Sequence, residues 1–110
     1  MTVVVSDHIV SLASRLEPEQ DVDTVFKHLV ENELVRRLNR YQLTDRTLSD
    51  KYQASFETFK TQNVVEELGY TFEVESDFWD WEMAQDGMET VRAMLDELRG
   101  AQSERSNTYS

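Results

Sequence analysis

Six apolar residues toward the C-terminal end, Trp81, Ala84, Met88, Val91, Leu95 and Leu98, follow one another at spacings of 3, 4, 3, 4 and 3. This seam keeps its members on one side of a helix only if the helix runs unbroken for about five turns. A stripe that narrow suits lying along another helix rather than under a sheet. Two and a half heptads are too short to demand an independent coiled coil, so packing against a second long helix of the same chain is expected to cover it.

Val22, Val25, Phe26, Leu29, Val30, Leu34, Leu38 and Tyr41 form a wide apolar stripe that can do so. Pro18, the only proline, fits the first turn of this helix and disfavours helical geometry at Glu17, while Glu19, Asp21 and Asp23 suit the positive end of its dipole. Ahead of it, Ser6 or Asp7 can cap a first helix ending near Leu16, with Ile9, Leu12, Ala13 and Leu16 on one stripe. The β-branched run Thr2 to Val5 favours a short extended arm.

Beyond Tyr41, Thr44 and Asp45 can cap a short helix with Leu48 and Tyr52 on one face. Ser55 can cap another containing Phe56, Phe59, Val64, Val65 and Leu68, with Gly69 as its stop. Tyr70, Phe72 and Val74 then alternate with Thr71, Glu73 and Glu75, the two-residue period of an extended segment. Ser76 or Asp77 is placed to cap the final helix, which is expected to run to about Arg99 with Gly100 just past its end. The tail AQSERSNTYS, residues 101–110, is polar and unpatterned, and disorder is expected there. The predicted fold is mainly α: a single domain over residues 1–100, four or five helices packed as a small bundle, an extended N-terminal arm and one extended or strand segment near 70–75.

At 110 residues the chain has room for one modest core. No cysteine is present, so disulfides, thiolate chemistry and cysteine metal sites are excluded. The two histidines, His8 and His28, lack a metal-binding spacing, and three glycines cannot build the common phosphate cradles or a nucleophile elbow. Neither a cofactor nor a metal is expected, and a binding or inhibitory protein fits better than an enzyme. The N-terminus has no basic region followed by an apolar run, and no segment approaches the roughly twenty apolar residues of a membrane span, which points to the cytoplasm.

A net charge of −11 opposes association with phosphate backbones and favours a cationic partner. The densest acidic stretch is also the most aromatic: Glu73, Glu75, Asp77, Asp80 and Glu82 are interleaved with Tyr70, Phe72, Phe78, Trp79 and Trp81. Its aromatics either form core beneath a solvated acidic face or meet a basic, partly apolar partner, and both can hold at once. Trp81 belongs to the seam. The predicted partner-binding residues are Tyr70, Phe72, Glu73, Glu75, Asp77, Phe78, Trp79, Asp80 and Glu82, with Trp79 and its flanking acids the hardest to explain without a partner. Charge is segregated, for six basic and three acidic residues lie between Arg36 and Lys60. Arg36, Arg37 and Arg40 are therefore the candidates for a nucleic-acid contact, although no base-reading module is recognisable around them.

The stretch LVENELVRRLNRYQLTDRTLSDKYQASFETFKTQNVVEELGYTFEVESDFWDWEMAQDG, Leu29 to Gly87, resembles small acidic prokaryotic proteins of the antitoxin type. Their recurring pattern has the form LVExELRRRLxRYxLTDRxFxxKYxMSxEEF followed by GYxxEVESDxxDWExAxDG. This chain departs from it at Ala54, where the pattern has methionine, and at Leu48, where it has an aromatic. The resemblance implies an antitoxin of a type II toxin-antitoxin pair, blocking a small basic ribonuclease, and carries no catalytic residues. The expectation is inhibition by occlusion through the acidic-aromatic segment. The alternative is a regulator that binds operator DNA through Arg36, Arg37 and Arg40, as a homodimer using the final helix.

Overall fold

The computed structural model describes residues 4–62, 67, 69 and 71–107, the last seven by their backbone alone. Among the described residues it contains four helices and no strand: α1 (Asp7–Leu16), α2 (Val22–Tyr52), α3 (Phe56–Thr61) and α4 (Phe72–Asn107). Helices α2 and α4 form a long antiparallel hairpin, with α1 folded back on α2 and α3 against its end. Lys51, at the end of α2, bonds Glu73 and Asp77 at the start of α4, while Arg99 reaches Glu31 at the other end.

The caps read from sequence hold at α1 and α3. Ser6 accepts from the Ile9 N–H and Ser55 from the Thr58 N–H. Helix α2 starts later than Pro18 implies: residues 18–20 form a turn, Gln20 N–H donates to the Glu17 carbonyl, and Asp21 caps the helix through the Thr24 N–H at 2.7 Å. It then runs 31 residues without the break expected after Tyr41. Thr44 does not cap. Its hydroxyl donates to the Arg40 carbonyl one turn back, a bond an uninterrupted helix accommodates. The helix ends at Gln53, whose left-handed conformation (φ 50°) returns its N–H to the Ser49 carbonyl.

Of the extended segment expected near 70–75, residues 72–75 are corrected to helix, Tyr70 lying outside the described residues. The Thr71 hydroxyl accepts from the Val74 N–H and its carbonyl from the Glu75 N–H, so Thr71, not Ser76 or Asp77, caps α4. Phe72 and Val74, expected on one face of a strand, lie on opposite sides of α4: Val74 is buried and Phe72 is 87% exposed. Val74 precedes Trp81 by seven residues and so extends the seam by one heptad. The predicted helix through Val64, Val65 and Leu68 falls mostly outside the described residues, beyond α3. Gly69 has φ +86°, as a stop residue requires. At the other end α4 passes through Gly100, which keeps a right-handed conformation, and continues to Asn107 into the stretch expected to be an unstructured tail. Glycine inside a helix costs only about 1 kcal/mol, too little to end a helix by itself.

Two apolar clusters line the hairpin. Near the α3 end, Leu48, Phe59, Val74 and Trp81 are buried, with Tyr52, Phe56 and Phe78 packed around them. Farther along, Leu34, Val91 and Leu95 are buried beside Val35, Leu38 and Tyr41. Between the clusters, a Cβ on Gly87 would lie 2.5 Å from the Tyr41 ring, so the α4 backbone there accepts the ring only because position 87 has no side chain. Gly87→Ala is expected to destabilise the fold by about 1 kcal/mol or more despite alanine's better helix propensity. In a Tyr41→Ala background the same change should become neutral or stabilising, and urea titration of the four proteins measures the cycle.

Candidate protein-docking face on α4

The polar groups at the mouth of the hairpin are tied together. Lys51 Nζ donates to Glu73 Oε1 and to Asp77 Oδ2, both at 2.6 Å, and the Tyr52 hydroxyl donates to the same Asp77 oxygen. Lys51 also stands 5.4 Å from the centre of the Tyr52 ring. These bonds fix the first two turns of α4 on the last turn of α2. Partial burial works to raise the Asp77 carboxyl, but the hydrogen bonds from Lys51 and Tyr52 outweigh it and hold Asp77 below its ordinary value. The Tyr52 phenol is pushed up to about 12, chiefly by burial and then by its bond to Asp77, and Lys51 is also raised, first through Asp77 and then through Glu73.

The pH dependence follows from these directions. A carboxylate with a depressed folded value stabilises above its unfolded pKa near 4, and that contribution disappears as pH falls through the folded value. A raised phenol or ammonium stabilises below an unfolded pKa near 10, and that contribution disappears as pH rises through the folded value. Thermal melts followed by circular dichroism should therefore lose midpoint in acid and again between about pH 10 and 12. The alkaline loss should be shallower in Tyr52→Phe and the acid loss shallower in Asp77→Asn.

Of the nine predicted partner-binding residues, Tyr70 lies outside the described residues. Glu73 and Asp77 are taken up by Lys51. Phe78 packs with Phe56 and Phe59, at ring separations of 5.8 and 6.3 Å, and is half-buried. The other five, Phe72, Glu75, Trp79, Asp80 and Glu82, remain at the surface, all exposed except the half-buried Glu82. Trp79 is 62% exposed and meets Phe78 edge-on at 6.0 Å.

Two residues join this face that the sequence reading passed over, Met83 and Asp86. Met83 is 67% exposed. At 100° per residue, Phe72, Trp79 and Met83 fall within about 40° of one another and span roughly 16 Å along the axis. Glu75, Glu82 and Asp86 run along one side of that apolar line, and Asp80 lies on the other. None of these four carboxylates makes an ion pair among the described residues. The spacing of 7 and then 4 from Phe72 was the available signal, and it becomes readable only once α4 is known to begin at Phe72.

The arginines on α2 are placed differently. Arg36 and Arg37 both hydrogen-bond Glu33, at 2.6 to 2.9 Å. The Arg36 bond first, and that of Arg37 second, hold Glu33 down to about 2. Arg40 lines a shallow groove with Tyr41 and Thr44 of α2 and Asp80, Met83 and Ala84 of α4. Two of the three candidate nucleic-acid residues thus share a carboxylate, and the third borders the acidic-aromatic face.

Compared with protein-family models, with curated proteins and with solved structures, the chain matches none.

Proposed function

We propose that this chain is an antitoxin-like binding protein that neutralises a basic ribonuclease-type toxin by covering its RNA-binding surface with the outer face of α4. The observation that carries this reading is the line Phe72, Trp79, Met83, left in water on a folded helix and bordered by four carboxylates that make no ion pair among the described residues. A ribonuclease presents cations to phosphates and flat apolar surface to bases. Glu75, Asp80, Glu82 and Asp86 can take the cations while Trp79 and Phe72 fill the space of stacked bases. The Lys51 bonds hold this helix in place beforehand, so docking need not meet the cost of ordering it. Association would be fast and salt-sensitive, since the charges steer it.

The reading puts the protein in the cytoplasm, where such a toxin acts. No described helix is long and apolar enough to cross a membrane. Co-expression with the product of the adjacent gene tests the proposal. Copurification and recovery of growth are the expected results, whereas separation of the two chains at low salt with no recovery would rule it out.

A further inference from the structure

The basic stretch of α2 lies beside the docking face of α4 and is only partly neutralised. From Glu33 to Arg40 three arginines stand against one carboxylate: Arg36 and Arg37 share Glu33, and Arg40 makes no ion pair among the described residues. Arg40 is exposed and lines, with Tyr41 and Thr44, a groove of about 220 Å³ whose far wall is Asp80, Met83 and Ala84 of α4. The Tyr41 ring lies against α4 where Gly87 has no side chain. Sites for small molecules start at about 300 Å³, so this groove suits the side chains of a docked protein. Asp80 and Met83 belong to the outer face of α4, and the groove therefore carries that face across onto α2. Asp80 and Arg40 border the same groove without closing on each other, and Asp80 too makes no ion pair among the described residues.

A partner lying over this surface meets a carboxylate and a guanidinium in one groove. A uniformly basic partner gains at Asp80 and loses at Arg40, where like charges are set together. A nucleic acid meets the converse: Arg40 attracts its phosphates, but Asp80 borders the groove and Glu75, Glu82 and Asp86 lie beyond it, in a chain of net charge −11. Only a protein surface of mixed charge gains at both walls. We propose that Arg40 is a specificity-determining residue of the docking face, and that the partner places an Asp or Glu carboxylate on it beside the cations that meet Asp80. A guanidinium takes a carboxylate through two parallel N–H···O bonds, which fix register as well as charge. Basic proteins that lack the acid are turned away by Arg40. This inference rests on the reading of α4 as a docking face and adds the chemistry of its partner.

Isothermal titration of the full chain with the product of the adjacent gene tests it. Arg40→Glu should raise Kd by about tenfold or more and Arg40→Gln by about threefold or more, with helical circular dichroism retained and the loss shrinking as salt is added. Arg40→Lys keeps the charge and should bind more tightly than Arg40→Gln, which a packing role for the stem would not produce. Arg46→Glu makes the same change in net charge in a groove that shares none of these residues, with Gln42, Gln85 and Arg92, and should not weaken binding. If Arg40→Glu loses its helical signal, Arg40→Gln decides. Affinity unchanged or tighter in the folded Arg40 variants overturns the proposal and leaves the docking face in place. So does equal weakening by Arg46→Glu, or a gel shift of promoter DNA by the wild-type chain that Arg40→Gln abolishes, which would assign Arg40 to nucleic acid. If the wild-type chain forms no complex at all, the antitoxin reading fails and the proposal with it.

Discussion

Trp81→Ala is expected to lower the unfolding free energy by about 3–5 kcal/mol, the range for truncating a buried aromatic. Trp81 has no exposed surface, and its ring sits 5.2 Å from Phe59, 5.4 Å from Phe56 and 6.2 Å from Tyr52. Its indole Nε1–H donates to Asp45 Oδ1 at 2.8 Å, and Gln85 donates to the same oxygen at 2.6 Å. Alanine would remove the ring that joins α2, α3 and α4 and one of the two donors on Asp45. Against a total of some 5–15 kcal/mol for a domain of this size, that is a large share. Trp81→Phe keeps most of the volume and loses the hydrogen bond, for which about 1–2 kcal/mol is expected. Urea denaturation measures both. A loss below about 1 kcal/mol in the alanine variant would mean that the cluster around Trp81 is not the core of the fold.

Trp79→Ala should do the reverse, moving stability little and partner affinity a great deal. Its side chain is mostly in water, so truncation removes no core contact beyond the edge of Phe78. If Trp79 anchors the docking face, its loss should cost at least 2 kcal/mol of binding, about a thirtyfold rise in Kd for the copurified partner. Glu75→Ala should act more on the association rate, and its effect should shrink as salt is added. Isothermal titration and stopped-flow mixing separate the two. Unchanged affinity on replacing both residues would remove the outer face of α4 as the docking surface. Two tryptophans two residues apart would thus fall into opposite classes, one essential to folding and one to binding.

The seam was legible because it is local. Trp81, Ala84, Met88, Val91 and Leu95 all prove buried, and their spacing repeats within a single helix. The Ser6 and Ser55 caps were legible for the same reason, since each bond spans three residues. Phe72 to Glu75 was misread because the alternation that begins at Tyr70 covers six residues, fewer than two helical turns, and over that length a period of 2 and a period of 3.6 are not cleanly separated. Thr44 and Asp45 look like a cap by residue type, yet Asp45 accepts from Trp81 and Gln85, 36 and 40 residues away. No local preference can register such a partner.

For the candidate docking face, the residue types determined which groups were available: carboxylates among large apolar side chains, in a chain with no cysteine and no glycine-rich loop. Which of them would be free was decided by tertiary structure. Lys51 draws Glu73 and Asp77 into the mouth of the hairpin, Phe56 and Phe59 take Phe78 toward the core, and Phe72, Trp79 and Met83 are left in water. Periodicity along the chain determines that helices form and which stripe each one buries, because those interactions are short in sequence. The antiparallel docking of α2 on α4 determines which charges are neutralised and which aromatics stay exposed, because it brings together side chains 22 to 40 residues apart.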